Sequence, residues 1–348
     1  MALTLRSFEP RHAGAWDAFV ASHTSGTFFH LAAWADVIAT AFGHTSLYTL
    51  AERDGAIVGV LPLAQVKSRL FGNTLISAPF CVYGGPLAAD AEAASALAVH
   101  AEALRRSSGA SAVEFRHREP VEDAWLAGEW LARSDLYVTF RKPIVAGEET
   151  NLKAIPRKQR AMVRKGRQHG LVSVVDQDAN RLHGIYAESV RNLGTPVFAR
   201  RYFRILLSAF RDCADVVTVL DGGVPVAAVL NFYFREEVLP YYGGGTQAAR
   251  RVAGNDFMYW EVLRRAAARG CRLFDFGRSK VGTGAFAFKH NWGFEPAPLH
   301  YRYNLAPGAG IPDHNPLNPK YRLFIAAWKR LPLPIANLIG PPIVRGLG

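Results

Sequence analysis

Two stretches of this chain carry the same landmarks in the same order, 159 to 161 positions apart, and that repetition constrains the fold more than any other feature. SLYTLAERDGAIVGVLPLAQV reads as a strand, an Asp54-Gly55 turn and a second strand. VVTVLDGGVPVAAVLNFYF reads the same way around Asp221-Gly222-Gly223. Asp-Gly or Gly-Gly between apolar runs is a strong hairpin signal, because the tightest hairpin turns need left-handed backbone. Each hairpin leads to a Tyr-Gly-Gly, at Tyr83 and Tyr242, and then to a helix-patterned stretch with Leu-Arg-Arg at 104 and 263. Each helix stops at a glycine, Gly109 or Gly270. A short strand follows, AVEFRHR or RLFDFGR, which sets Glu114 and Asp275 in equivalent places. Hairpin, further strand, crossover helix and final strand together make a mixed sheet. The chain is therefore expected to be α/β: two tandem lobes with mixed sheets, related by internal duplication. Expected boundaries are residues 1–150, 151–310 and a tail over 311–348, with a cleft between the lobes as the place for substrate.

The sharpest charge feature lies between the repeats. AIPRKQRAMVRKGRQHG, residues 154–170, holds six cations within eleven positions. Pro156 suits a first helical turn and Gly170 a stop. At helical spacing Arg157, Arg160, Arg164 and Arg167 share one face. No Asp or Glu lies between Lys153 and Val175 to pair within the helix, so two readings stand: an anion-binding face, or a solvated one. The whole chain is basic as well, with a formal net charge of +12 and a pI near 9.8. That balance favours an anionic partner, such as RNA, a phosphorylated substrate or an acidic membrane surface.

Cys81, Cys213 and Cys271 are isolated, and no Cys/His cluster has metal spacing, so no metal site is expected. MALTLRSFEPRH lacks the apolar core of a signal peptide, and no run approaches the ~18 apolar residues of a membrane span. The expected address is cytoplasmic.

FDFGRSKVGTGAFAFKHNWGF, residues 274–294, resembles a phosphate loop that lacks its lysine. Phe286 and Phe288 alternate with Ala285, Ala287 and Lys289, which predicts a strand beyond the glycines rather than a helix. On that reading the near-match is coincidental, and ATP hydrolysis is not predicted. Asp275 and Arg278 flank the end of the preceding strand, where α/β sheets place site residues. Asp275 reads either as a group that orients Lys289 or takes a proton, or as a structural carboxylate paired with Arg278. Lys289 reads either as a site cation or as an exposed strand lysine. Tyr83, Tyr241 and Tyr242, beside glycines, read either as aromatic lining or as core tyrosines at a bulge. No Ser-His-Asp or Cys-His set is legible, with His30, His169 and His290 all standing apart, so covalent catalysis has no support.

Taken together, these residues resemble the FemAB family of aminoacyl and acyl transferases, built as two GNAT-like (N-acyltransferase-like) lobes. The likeness starts at FFHLAAWADVIATAFG, which includes His30 and Trp34. It continues through IPRKQRAMVRKG, NLGTPVFARRYF and YYGGGTQAARRVAGNDFMYWEVLRRAAARG to FDFGRSKVGTGAFAFKHNWGFEP. The wording of that last block is most similar to the FemAB-like group associated with exosortase (PEP-CTERM) and exopolysaccharide systems.

The resemblance implies direct transfer of an activated acyl or aminoacyl group to an amine, with acyl-CoA or aminoacyl-tRNA as donor and no permanently bound cofactor. It also implies a cell-envelope or exopolysaccharide precursor as acceptor, anionic or lipid-linked, and Phe288-Lys289 as the family's Phe-Lys pair. A cation or N–H placed at the developing oxyanion is worth about 2.7–4 kcal/mol. Lys289 takes that role in this reading, with Asp275, Phe288 and Arg278 around it. Arg157, Arg160, Arg164, Arg167, His30, Trp34, Tyr83, Tyr241 and Tyr242 are the implied substrate and phosphate contacts. Arg251, Gly254 and Asn255 match part of the acetyl-CoA signature [QR]-x-x-G-x-[GA], but Asp256 stands at its small third position. Asn255 and Asp256 fit a helix N-cap and first turn. GPLAADAEAA in the first repeat has no such motif, so that lobe is expected to serve the acceptor or the fold.

PKYRLFIAAWKRLPLPIANLIGPPIVRGLG, residues 319–348, mixes large apolar residues with five cations and no acid. It reads either as peripheral contact with an anionic inner membrane face or as a helix docked on the second lobe. Two other functions stay open: an acyl-CoA-dependent N-acyltransferase that uses no tRNA, and a catalytically silent GNAT-like scaffold that binds through its basic helix.

Overall fold

The computed structural model describes residues 2–312 and 322–348. It is α/β with mixed sheets, as the repeats predict, and it divides into two compact units. Unit 1 comprises Met1–Tyr137, Pro298–His314 and Arg345–Gly348, and unit 2 comprises Val138–Ala297 and Asn315–Val344. The sequence-based boundary at 150/151 falls inside unit 2. Unit 1 also takes back a strand from beyond the second repeat.

Both hairpins form. In unit 1, Thr49–Arg53 pairs antiparallel with Ala56–Leu61 across Asp54 and Gly55, both left-handed at φ 57° and 78°. In unit 2, Ala214–Asp221 pairs with Val224–Phe234 across Gly222 and Gly223, φ 56° and 85°. These are the angles that two-residue hairpin turns demand. Both crossover helices form too. Ala91–Ser108 is capped by the Asp90 carboxylate, which accepts from the Ala93 N–H at 2.9 Å, and Gly109 ends it at φ 63°. The helix Gly254–Ala268 has Ala253 at its N-cap, in left-handed backbone, and Gly270 ends it. Asn255 and Asp256 therefore lie inside the first turn, and the N-cap reading of Asn255 is corrected.

The parallel step follows each helix. In unit 1, Gly72–Ser77 runs parallel to Ala112–His117, and in unit 2, Glu237–Gly245 runs parallel to Leu273–Ser279. Each of these last strands then gains an antiparallel neighbour from far along the chain. His300–Leu305 pairs with Ala112–His117, and Val138–Pro143 pairs with Leu273–Ser279. Each unit buries its own core. Leu63, Leu75, Leu97, Val113 and Phe115 belong to that of unit 1, and Val229, Met258, Trp260, Phe274 and Trp292 to that of unit 2.

Of two local expectations, one holds and one changes. The basic stretch is helical only over Arg157–Gln168, between Pro156 and Gly170 as read, and a separate helix, Glu148–Ala154, precedes it. The stretch expected as a strand beyond Gly282 is a helix, Gly284–Asn291, capped by Thr283, whose hydroxyl accepts from the Phe286 N–H at 3.3 Å. The alternation of Phe286 and Phe288 is real in sequence. Capping and tertiary packing on both rings override it: Phe286 meets Phe140 edge-on at 5.3 Å, and Phe288 lies 5.5 Å from Tyr259.

Candidate active site in unit 2

The site is built where the sheet of unit 2 opens. The parallel ladder between Glu237–Gly245 and Leu273–Ser279 joins only Glu237 to Leu273 and Val238 to Phe274. Beyond these pairs the ladder stops. A register shift also falls within Glu237–Gly245: Pro240 faces Asn231 and Tyr242 faces Leu230, so Tyr241 is the extra residue of a β-bulge. Tyr242 is buried among Tyr186, Phe198, Tyr202 and Phe203, with its hydroxyl 3.0 Å from that of Tyr202.

Lys289 reaches back from the helix Gly284–Asn291 to the end of the strand Leu273–Ser279. Its Nζ donates to the carbonyls of Gly277 at 3.1 Å and Arg278 at 3.0 Å, and lies 5.8 Å from the Phe140 ring centroid. The residue as a whole is half-buried. Burial pulls its pKa down to about 7; the Asp275 charge opposes that shift and the Arg278 charge adds to it. The lysine is thus a group that exchanges its proton near neutral pH, the range suited to proton transfer and to charge stabilisation alike.

Asp275 is only 1% exposed. One oxygen accepts from the Gly277 N–H at 2.7 Å and the other meets Arg141 Nε at 3.2 Å. Arg141 also pairs with Glu237. It was not singled out in the sequence because its carboxylates lie 96 and 134 positions away, and only the antiparallel ladder brings them in. Thr283, Phe140 and Trp292 are further contributors that no motif marks.

The partial cofactor motif lies beside this cluster. Arg251 ends the short helix Gln247–Arg251 and is exposed. Gly254 opens the next helix so close to Ala249 that a Cβ would sit 3.0 Å from the Ala249 methyl. A Cβ on Gly245 would meet Asn255 Oδ1 at 2.3 Å. The glycines therefore pack a helix N-terminus, a natural anion site, against the bulged strand. Asp256 turns away from that end: its Oδ1 accepts from the Trp292 indole at 3.0 Å, and burial raises its pKa. Tyr259, one turn on, touches Phe288.

The basic helix adjoins both. Gly166 packs on Phe257 so tightly that a Cβ there would come within 2.8 Å, and Gly293, just past the Lys289 helix, packs on Pro156. Arg167 is engaged by Glu148 at 2.7 Å and lies 5.1 Å from the Trp260 ring. Arg157, Arg160 and Arg164 have no acidic partner among the described residues, and Arg157 and Arg164 are exposed. His30, Trp34 and Tyr83 belong to unit 1, all buried; the Trp34 indole donates to the Phe28 carbonyl at 3.1 Å.

A strand–bulge–helix frame with a helix N-terminus at an opened parallel step makes a GNAT-like fold. In agreement, residues 153–290 match the family model of the acetyltransferase (GNAT) domain. FemX is similar over 92% of this chain and 100% of its own, with a TM-score of 0.70 at 16% identity. L-PGS from Bacillus licheniformis covers 99% of this chain and 98% of its own, with a TM-score of 0.58 at 12% identity. A tandem GNAT protein from the clavulanic acid biosynthesis pathway covers 90% and 100%, with a TM-score of 0.54 at 16% identity. No curated protein matches by sequence. The fold is thus the tandem GNAT fold that FemX has, and the match to the GNAT-domain model falls within unit 2.

Proposed function

We propose that this protein moves an activated acyl or aminoacyl group onto an amine by direct attack, with unit 2 as the catalytic unit and Lys289 at the reacting carbonyl. The observation that carries the reading is Lys289 itself, held near neutral pKa at the mouth of the opened sheet beside a cradled helix N-terminus. As an ammonium it stabilises the oxyanion of the tetrahedral intermediate; as an amine it takes the proton the nucleophile sheds. The unpaired arginines of the basic helix support a polyanionic donor, acyl-CoA or aminoacyl-tRNA. Titration with CoA, aminoacyl-tRNA and deacylated tRNA separates the two. Binding to CoA with indifference to both tRNAs would leave the acyl-CoA reading alone, and binding to none of the three would remove the transferase reading.

A lipid-linked envelope or exopolysaccharide precursor is the acceptor class we favour, and the helices Arg322–Trp328 and Leu333–Val344 support it. The second buries Ala336, Gly340 and Val344, while Ile335, Leu338 and Ile339 face outward. Leu323 is 84% exposed, and Lys329 and Arg330 lie between the two helices with no acid nearby in sequence. No described helix is long and apolar enough to cross a membrane. Such a face suits the surface of an anionic bilayer. Flotation with phosphatidylglycerol vesicles, lost on Leu338→Glu, is the expected result; equal flotation of the variant would remove this part.

A further inference from the structure

Arg141 lies where three strands of the unit 2 sheet run into the candidate active site. Glu237–Gly245, Leu273–Ser279 and Val138–Pro143 are consecutive neighbours in that sheet. Successive residues of a strand point to opposite faces, and Val138–Pro143 uses both. Lys142 donates to the Ala154 carbonyl at 2.9 Å, whereas Arg141 turns to Asp275, its cross-strand partner, and to Glu237 one strand further. Asp275 is the first residue past the last parallel pair, Val238 with Phe274. One guanidinium therefore straddles the sheet at the point where it opens.

The same stretch carries a second bulge. Thr139 faces Arg278 and Arg141 faces Asp275, so Phe276 and Gly277 together oppose Phe140 alone. Gly277 takes left-handed backbone there, at φ 65°, which glycine adopts without a Cβ penalty. The bulge is tied on both sides. Asp275 accepts from the Gly277 N–H at 2.7 Å, and the Gly277 and Arg278 carbonyls accept from Lys289 Nζ at 3.1 and 3.0 Å. Contacts thus run from Glu237 through Arg141, Asp275 and Gly277 to Lys289.

Charge makes the Arg141 link a requirement. The Asp275 side chain has no exposed surface, and a carboxylate so buried stays ionised only where a cation answers it. Arg141 Nε lies 3.2 Å from it, and the guanidinium, about one-fifth exposed, is balanced in turn by Glu237. Among the described residues, the charges that act on Lys289 are those of Asp275 and Arg278. On the helix Gly254–Ala268, Asp256 is engaged by the Trp292 indole and Tyr259 lies against Phe288. His290, next to Lys289 on its own helix, stacks on Phe286. Taking a positive charge out of this cluster raises the proton affinity of Lys289, and taking out a negative one lowers it.

We propose that Arg141 is a positioning residue of the transfer site: it clamps three strands, holds the Asp275 carboxylate, and through it fixes the bulge on which Lys289 rests. The proposal rests on Lys289 being the central group of that site, but its test reads the lysine directly and needs no turnover. NMR of 13Cε-labelled lysine in the full chain follows the titration of Lys289, identified as the signal lost in Lys289→Met. Arg141→Met is expected to raise the midpoint by about one pH unit, a tenfold gain in proton affinity. Arg141→Lys, which keeps the charge, is expected to stay within about 0.3 unit of wild type. Where Arg141→Met does not fold, Glu237→Gln decides the matter, with a midpoint expected below that of wild type. An unmoved midpoint in folded Arg141→Met, an equal shift in Arg141→Lys, or an unmoved or raised midpoint in Glu237→Gln would overturn the proposal. Loss of transfer in Arg141→Met with the midpoint unmoved would likewise leave Arg141 a purely structural clamp. If the midpoints move as expected while Lys289→Met transfers as fast as wild type, the Arg141 clamp stands and the transfer reading falls.

Discussion

Lys289 carries a conflict between function and stability, and the sign of that conflict can be worked out. Its folded pKa, about 7, lies below its ordinary value of 10.5 because burial disfavours the ammonium. Between those values the unfolded chain binds more protons than the folded one, so this group's contribution to stability rises with pH across the window and is lowest below pH 7. Lys289→Met should therefore raise the melting temperature at pH 7 by roughly 2–4 °C while removing activity; calorimetry at pH 7 that shows a loss would contradict this. The neighbours set the position of the titration. The Asp275 charge holds the lysine's pKa up and the Arg278 charge holds it down. Asp275→Asn should shift the lysine limb of the pH–rate profile to lower pH, and Arg278→Gln to higher pH. Two profiles that move together, or not at all, would show that Lys289 is not the titrating group. Lys289 was legible from its Phe-Lys pairing, as was Asp275 from its strand end. Arg141 was not, because nothing local distinguishes it from any other strand arginine.

At the level of elements, hairpins and crossover helices could be read because their signals are local: Asp54-Gly55, Gly222-Gly223, Asp90, Gly109 and Gly270. The helix Gly284–Asn291 was misread because GAFAFKHN has little helical bias and its two phenylalanines stand two apart. The one local signal was Thr283, a good N-cap residue placed after Gly282, and it was outweighed. Thr283→Ala should cost the site helix about 1 kcal/mol. Faster hydrogen exchange confined to residues near Phe286 would report it; unchanged exchange would mean that packing alone holds the helix. For the basic helix the structure separates what spacing had grouped. Arg167 is committed to Glu148 and Trp260, whereas Arg157, Arg160 and Arg164 have no acidic partner among the described residues, and Arg157 and Arg164 are exposed. Arg160→Glu/Arg164→Glu should weaken donor binding and flatten its salt dependence, each lost phosphate contact removing about one unit from the log–log slope. Affinity equal to wild type at two salt concentrations would return this face to plain surface.

For the whole molecule, the duplication was visible but the exchange of strands was not. His300–Leu305 follows the second repeat in sequence yet completes the sheet of unit 1, and Val138–Pro143 precedes the second repeat yet completes that of unit 2. Periodicity identifies strands; it does not say which sheet a strand at a repeat boundary will join. The two units then diverge on one plan, with a lysine, a buried aspartate and a cradled helix N-terminus in unit 2, and buried histidines beside an open pocket in unit 1. The account's central claim is that acyl transfer occurs at Lys289. Its most direct test is the single-turnover rate of transfer from whichever donor binds to a small amine, followed by product mass, for wild type and Lys289→Met at saturating donor. The account predicts a loss of about 100-fold or more with donor affinity unchanged within roughly twofold; equal rates in the two proteins would contradict it.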